Sequence, residues 1–230
     1  MNFIKSAVAA AALAAVIAPA SAAVVSLDFE GINNTYPSGY ANILEFYNGG
    51  TSSDGTTGTN YGISFGDNAL AICLNSLSVS CSNTSRGGLA PGSEKGALFF
   101  LSGDQTFMNV AAGFDTGFSF NYVSLTYAGA VNVFDGANGT GTILATLNLT
   151  PNAGSCPGYG AGFCPFSPKG VSFLGVAHSI GFAGVANQIV FDDVTFGSIT
   201  PGVPEPETYA LMLAGLATVA AITRRRKASL

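Results

Sequence analysis

Phe118-Ser119-Phe120-Asn121-Tyr122, running on through Val123 to Tyr127, alternates aromatic and polar side chains at a period of two. That period belongs to an extended strand with one face buried. Working outward, Val131-Asn132-Val133-Phe134 leads into Asp135-Gly136 and Asn138-Gly139, dipeptides that favour tight hairpin turns, and Thr142 to Leu149 supplies a returning strand. Val25-Leu27-Phe29 alternates with Ser26-Asp28-Glu30, and further strands are expected at Gly170–Leu174, His178–Phe182 and Gln188–Phe196. No window of the interior carries a capped 3.6-residue period. Roughly ten short strands separated by turn residues predict an all-β domain over residues 23–200, a β-sandwich or jelly roll. Two polar stretches, 47–62 and 82–93, read as long loops.

Before this domain, Met1-Asn2-Phe3-Ile4-Lys5 precedes 12 apolar residues, Ala7 to Ala18, and then Pro19-Ala20-Ser21-Ala22-Ala23. One positive charge, an apolar run and small residues at the cleavage spacing make residues 1–22 a secretory signal peptide, which implies Sec-type export and signal peptidase. Cleavage is expected after Ala22. Between Ala23 and Pro204 the chain holds three basic residues, Arg86, Lys95 and Lys169, against eleven acidic ones, a formal charge of −8. Nucleic-acid binding requires a basic face that releases counterions from phosphates, and this composition excludes one. Anionic lipid surfaces are disfavoured for the same reason.

Two pairs of cysteines, Cys73 and Cys81, Cys156 and Cys164, each enclose seven residues. Four cysteines permit three connectivities, of which local pairing, 73–81 and 156–164, is the simplest. Each bridge would close a short loop worth about 2–3 kcal/mol on the chain-entropy account. Zinc is the competing reading, but zinc sites favour closer cysteine pairs with histidine partners, and His178 is the single histidine. An oxidising compartment favours the disulfides.

The opening Leu27-Asp28-Phe29-Glu30-Gly31 and the closing Ile189-Val190-Phe191-Asp192-Asp193-Val194-Thr195-Phe196 resemble the first and last strands of carbohydrate-binding jelly rolls. In such modules these strands lie together and supply acidic ligands to a structural calcium. The resemblance implies Asp28, Glu30 and Asp192 as oxygen ligands, a hard-cation set. Strict alternation puts Asp192, rather than Asp193, on the face shared by Val190, Val194 and Phe196.

Residues 201–230 form the third part of the chain. Val203-Pro204-Glu205-Pro206-Glu207-Thr208 precedes an uncharged run of 14 residues, Tyr209 to Ile222, and then Thr223 and the basic block Arg224-Arg225-Arg226-Lys227. The prolines hold the first segment extended and open to a protease cleft. As a helix the apolar run reaches roughly 21 Å, short of a full bilayer core of about 30 Å, with Tyr209 and the basic block able to reach the interfaces. The basic block should stay cytoplasmic, leaving the domain on the far side of the inner membrane. This order resembles the PEP-CTERM sorting signal of exported proteins in Gram-negative bacteria. The resemblance implies that Val203, Pro204, Glu205 and Pro206 are read by an exosortase, a membrane-embedded cysteine protease. The helix would then lie in the inner membrane only transiently, and the protein would pass to the cell surface or extracellular matrix.

Catalytic signals are sparse. His178 falls in a strand, no Gly-x-Ser-x-Gly elbow is present, and Asp28, Glu30, Asp104, Asp115 and Asp135 are acids that any acidic domain offers. Aromatics near expected loops, Tyr36, Tyr40, Tyr47, Tyr61, Tyr159 and Phe163, would suit sugar stacking, although the chain has no tryptophan. Glycosylation sequons stand at Asn33, Asn83, Asn138 and Asn148. The expectation is an exported, exosortase-processed surface or matrix protein, non-enzymatic and associating with exopolysaccharide in biofilm or floc. The alternatives are a secreted carbohydrate-active hydrolase and a permanently anchored structural surface protein.

Overall fold

The computed structural model describes residues 24–33, 39–75, 83–85, 95–153 and 166–202. Among them the chain forms thirteen strands: β1 (Val25–Leu27), β2 (Tyr40–Asn42), β3 (Ile63–Phe65), β4 (Leu70–Asn75), β5 (Asn83–Ser85), β6 (Gly96–Phe99), β7 (Gln105–Phe114), β8 (Phe118–Ser124), β9 (Gly129–Phe134), β10 (Ile143–Leu149), β11 (Ser167–Val171), β12 (Ala177–Ala183) and β13 (Ile189–Phe196). The described helical segments are two single 3-10 turns, Phe46–Asn48 and Ala137–Gly139.

The strands make two sheets. One runs β11-β8-β13-β6-β4-β2, with β1 added to β13 and β5 added in parallel to β4; the other runs β10-β9-β12-β7-β3. Apart from the β4–β5 pair, every pairing is antiparallel. The predicted sandwich is present, with more strands than the turn signals suggested.

Between the sheets lies a core dominated by phenylalanine. Phe120, Phe182 and Phe191 are fully buried, and the ring centroids of Phe182 and Phe191 stand 4.8 Å apart across the interface. At one end Phe114 packs on Phe118, Phe173 and Phe196 at 5.4–6.2 Å. A second cluster, comprising Leu70, Leu74, Ala97, Phe99, Val123, Phe166 and Val190, lies on the opposite face of the larger sheet. Both faces of that sheet are therefore apolar, and every residue of β13 is buried, as a central strand covered on both sides should be.

Three sequence expectations shift. β11 begins at Ser167 and contains Pro168, whereas the expected strand began at Gly170. A proline cannot donate to a ladder, so it reads as a breaker; β11 is an edge strand paired with β8 alone, where the missing donor costs nothing. β1 ends at Leu27 because Phe29 turns to φ 57. Residues 47–62 are pinned rather than loose: Ser52 is buried, its hydroxyl and that of Thr56 both reach the Ile32 carbonyl, and Tyr61 N–H donates to Tyr47 O at 2.8 Å.

The signal peptide, the motif Val203, Pro204, Glu205, Pro206 and the block Arg224, Arg225, Arg226, Lys227 lie outside the described residues, as do Cys81, Cys156 and Cys164 and the test of both disulfide pairings. Cys73 is fully buried on β4 and is not a free thiol. Among the described residues no helix is long and apolar enough to cross a membrane.

Candidate functional site

The three expected calcium ligands occupy the corner where β1 leaves its partner strand. β1 pairs with the last part of β13, and β6 pairs with the same strand at Phe191. Between them the Glu30 carboxylate fills the break in the ladder: one oxygen accepts from Lys95 N–H at 2.7 Å and Gly96 N–H at 2.6 Å. Glycine is required at 96, since a Cβ there would stand 2.2 Å from the Phe29 carbonyl oxygen.

Asp28 Oδ1 accepts from Glu30 N–H at 3.2 Å. Burial raises its carboxyl pKa above the ordinary value, opposed by hydrogen bonds from the backbone and from the Tyr47 hydroxyl. Tyr47 itself accepts from Phe29 N–H at 3.0 Å, and its phenol is pushed well above its usual pKa, first by burial and then by the charge of Asp28. The phenol therefore stays protonated and acts as a structural clamp between β1 and the first 3-10 turn.

Asp192 is fully buried and accepts from Asp193 N–H at 2.8 Å, while Asp193 Oδ2 accepts from Asn121 Nδ2 at 2.9 Å. Strict alternation does not hold along β13 at Asp192. Val190 belongs to the outer cluster and Val194 and Phe196 to the main core, so they do not share a face. The register shifts between Asp192 and Thr195, and Asp193 stands at φ 49; a bulge resets the period, and both aspartates are buried. Asp28 and Asp192 both act on Tyr47, while Glu30 turns to the β6 backbone. Among the described residues no three His, Cys, Asp or Glu side chains converge as a metal site would require.

A different region gathers polar side chains around a cleft. The smaller sheet presents Gln105, Phe107 and Asn109 of β7 on its outer face, with Thr106, Met108 and Val110 buried behind. Across the ladders Ser64, Asn109, Ser179 and Phe134 form one row. The β9–β10 connection was expected to be a tight turn; instead it is a longer loop that folds back over this face. Asp135 Oδ1 accepts from Thr142 N–H at 2.6 Å to close it. Asn138, at φ 52, exchanges two hydrogen bonds with the Asn109 side chain at 2.7 and 2.8 Å. Ser179 Oγ donates to Gly136 O and accepts from Gly139 N–H at 3.0 Å. Gly139, at φ 71, lies so close to the Phe107 ring that a Cβ would stand 2.3 Å from it.

Between this loop and the segment around Asn48 runs a cleft of about 470 Å³. Its polar lining comes from Asn48, Ser64, Asn109, Asp135, Asn138 and His178. His178 enters it because the β12–β7 register shifts between Ala177 and Ser179. Tyr61, exposed and stacked on Tyr47 at 6.2 Å, immediately precedes Gly62 on the cleft wall.

The remaining sequence candidates scatter. Tyr40 is exposed against Phe99, and Tyr47 is core rather than a sugar platform. Tyr36, Tyr159 and Phe163 lie outside the described residues. Asp104 and Asp115 are exposed and do not line the cleft. Of the sequons, Asn33 is buried while Asn138 and Asn148 are exposed; Asn83 is described only as part of β5. The β7 contribution escaped the sequence reading because its alternation places Thr106 inward and Phe107 outward, so polarity does not mark the faces.

A family model for the PEP-CTERM protein-sorting motif matches residues 202–227. No curated protein matches the chain. One solved structure, a glycoside hydrolase family 43 arabinoxylan arabinofuranohydrolase from Bacillus subtilis in complex with cellotetraose, is similar at 24% identity and a TM-score of 0.31. The match covers 46% of this chain and 22% of that one, so the chain spans under a quarter of its length. The chain thus carries a β-sandwich followed by a PEP-CTERM motif, the mark of an exported, exosortase-processed, surface-directed protein.

Proposed function

We propose that this is a non-enzymatic cell-surface or matrix protein whose sandwich holds extracellular polysaccharide in the cleft on the smaller sheet. The observation that carries the reading is the cleft itself: Asn48, Asn109 and Asn138, the Asp135 carboxylate and the His178 imidazole line about 470 Å³, and Tyr61, exposed, is the chain neighbour of Gly62 in that lining. Such a mixture of amides and carboxylate with one aromatic face matches the alternating hydroxyl and C–H surfaces of a sugar ring. Net acidity makes neutral or basic glycans better partners than polyanions.

Glycosidase chemistry ordinarily needs two carboxyl groups flanking one bond. Among the described residues Asp135 is the single acid lining this cleft, and its Oδ1 already accepts the loop-closing N–H of Thr142. That favours binding over hydrolysis. Disulfides 73–81 and 156–164 belong to the same reading, as staples suited to the oxidising exterior. Export through signal peptidase and release by exosortase would deliver the domain to a biofilm or floc matrix.

Polysaccharide pull-down and glycan-array binding by protein recovered from the cell exterior test the proposal. Binding should be detectable and fall about tenfold in His178→Ala, the range of one lost hydrogen bond. Blank assays, or equal retention by the variant, would end the cleft assignment; polysaccharide turnover lost in Asp135→Asn would replace it with the hydrolase.

A further inference from the structure

Both ends of the described domain leave the sandwich at the same place. Val25 pairs with Phe196, the last residue of β13, and Gly197 N–H donates to Gly117 O in the β7–β8 turn at 3.0 Å. The β11–β12 connection reaches this end too, because Val171 pairs with Phe118 and Ala177 with Phe114. Four aliphatic side chains are exposed here: Val24 at 58%, Leu174 at 92%, Val176 at 49% and Ile199 at 57%. They are neighbours of one framework. Ile199 lies against Gly117 and Gly170, Val176 lies against Gly113, and Leu174 and Val176 border one depression with Asp115 and Thr116.

An aliphatic tip of this kind is costly in water and marks a contact surface. What it contacts follows from the chain beyond it. Gly202 is the last described residue, and the apolar run begins at Tyr209, seven residues on. Even fully extended, seven residues span at most about 25 Å. Once that run has entered a bilayer, Gly202, packed on Ser26 and Thr195 beside the tip, is held within this distance of the lipid surface. Asp115 at its edge and the domain's acidic surplus argue against anionic headgroups.

We propose that the Val24–Leu174–Val176–Ile199 tip rests in the headgroup region of a net-neutral lipid bilayer while the C-terminal tail is attached. The inference rests on the sorting-signal reading of residues 202–227, which puts the tail in the membrane. Tip and tail then act as two attachments. Together they set the depth and orientation at which Pro204-Glu205-Pro206 meets a membrane-embedded protease. After the cut, the tip alone gives only marginal, reversible adhesion, as any single weak membrane attachment does, and the domain is released.

The chain has no tryptophan, so single substitutions supply clean fluorescence reporters. Full-length protein with its tail is inserted into phosphatidylcholine vesicles whose acyl chains carry bromine as quencher. Three variants are compared: Leu174→Trp at the tip, Tyr127→Trp in the exposed β8–β9 connection at the opposite end, and Leu213→Trp within the apolar run. Val176→Trp is a second tip reporter. Leu174→Trp should lose emission at least about twofold relative to Tyr127→Trp, as burial at the headgroup–acyl boundary predicts, and Leu213→Trp should be quenched more strongly. Tip reporters no more quenched than Tyr127→Trp, with Leu213→Trp quenched, overturn the docking and leave the sorting reading standing. An unquenched Leu213→Trp overturns both. Blue-shifted tip emission without lipid means that a second copy or another part of the chain covers the tip, and also overturns it.

Discussion

The two sheets of the sandwich solve opposite problems. The larger is apolar on both faces: Ile189 and Phe191 of β13 enter the central core while Val190 joins Phe99 and Phe166 on the far side. The acids at its buried corner, Glu30, Asp192 and Asp193, are taken up by backbone and amide hydrogen bonds. The smaller sheet is apolar inward, and on its outer face the large apolar Phe107 and Phe134 are covered by the β9–β10 loop. Its outer face carries Gln105, Asn109, Asn132 and Thr146, partly roofed by the β9–β10 loop. One sheet takes its polar atoms into buried joints, and the other sets its polar side chains, themselves hydrogen-bonded, around an open cleft. That division is why the cleft, rather than the acidic corner, is the better candidate for ligand contact.

The sharpest way to test the common core is Phe182→Ala. Phe182 is fully buried and meets Phe118, Phe120 and Phe191 across the interface at 4.8–6.5 Å. Losing it should cost about 3–5 kcal/mol, read as a fall in the denaturant midpoint. A loss below about 1 kcal/mol would mean the two sheets do not share a packed core.

Next in size is the acidic corner. Glu30→Ala removes the acceptor of two N–H groups where β1 and β6 part, and should cost about 1–2 kcal/mol; Glu30→Gln keeps an amide oxygen there and should cost less. EDTA should leave the wild-type melting temperature in place, since these carboxylates already hold protein donors. A drop on chelation would show that Asp28, Glu30 and Asp192 close on a cation after all, and would erase the contrast between the sheets.

How much of this was legible beforehand differs between the same two regions. The larger sheet's central strands, β8 and β13, announced themselves through aromatic and β-branched runs, and the sandwich followed. What alternation could not show was the bulge at Asp193, because a positive φ in one residue leaves no trace in hydrophobicity. On the smaller sheet, Phe107 and Phe134 face outward and are covered by the chain's own loop, so the periodicity of β7 pointed to neither face. Asp135-Gly136 and Asn138-Gly139 correctly marked a reversal. Their true use, an Asn138–Asn109 clasp onto a strand 29 residues away, depends on which strands become neighbours, and no local pattern records that.

The clasp supplies a smaller effect. Asn138→Ala loses its side-chain bond and replaces a residue that tolerates left-handed backbone with one that does not, at about 1–2 kcal/mol; Asn138→Gly relieves the backbone and should lose less. Hydrogen exchange at 136–140 should quicken in both variants while β13 stays protected. If exchange quickens equally across both sheets, the loop is part of the global fold and not a separable wall of the cleft.

The smallest effect is electrostatic and belongs to the acidic corner. Burial holds the Asp28 carboxyl above its ordinary pKa in the folded protein. Between the unfolded and folded pKa values the native state therefore binds more protons than the unfolded chain, so stability falls as pH rises. The contribution is complete below the unfolded carboxylate pKa and is lost as pH climbs through the folded one. Tyr47 repeats the pattern at alkaline pH, since its phenol must surrender a proton far less readily when folded. Asp28→Asn should flatten the acidic part of this fall and leave the alkaline part, while Tyr47→Phe should do the reverse at the cost of the Phe29 N–H acceptor. Chemical denaturation across the pH range reads both slopes. If Asp28→Asn instead steepens the fall with rising pH, the aspartate is stabilised as an anion by a positive partner, and the acidic corner is an ion site, not a hydrogen-bonded joint.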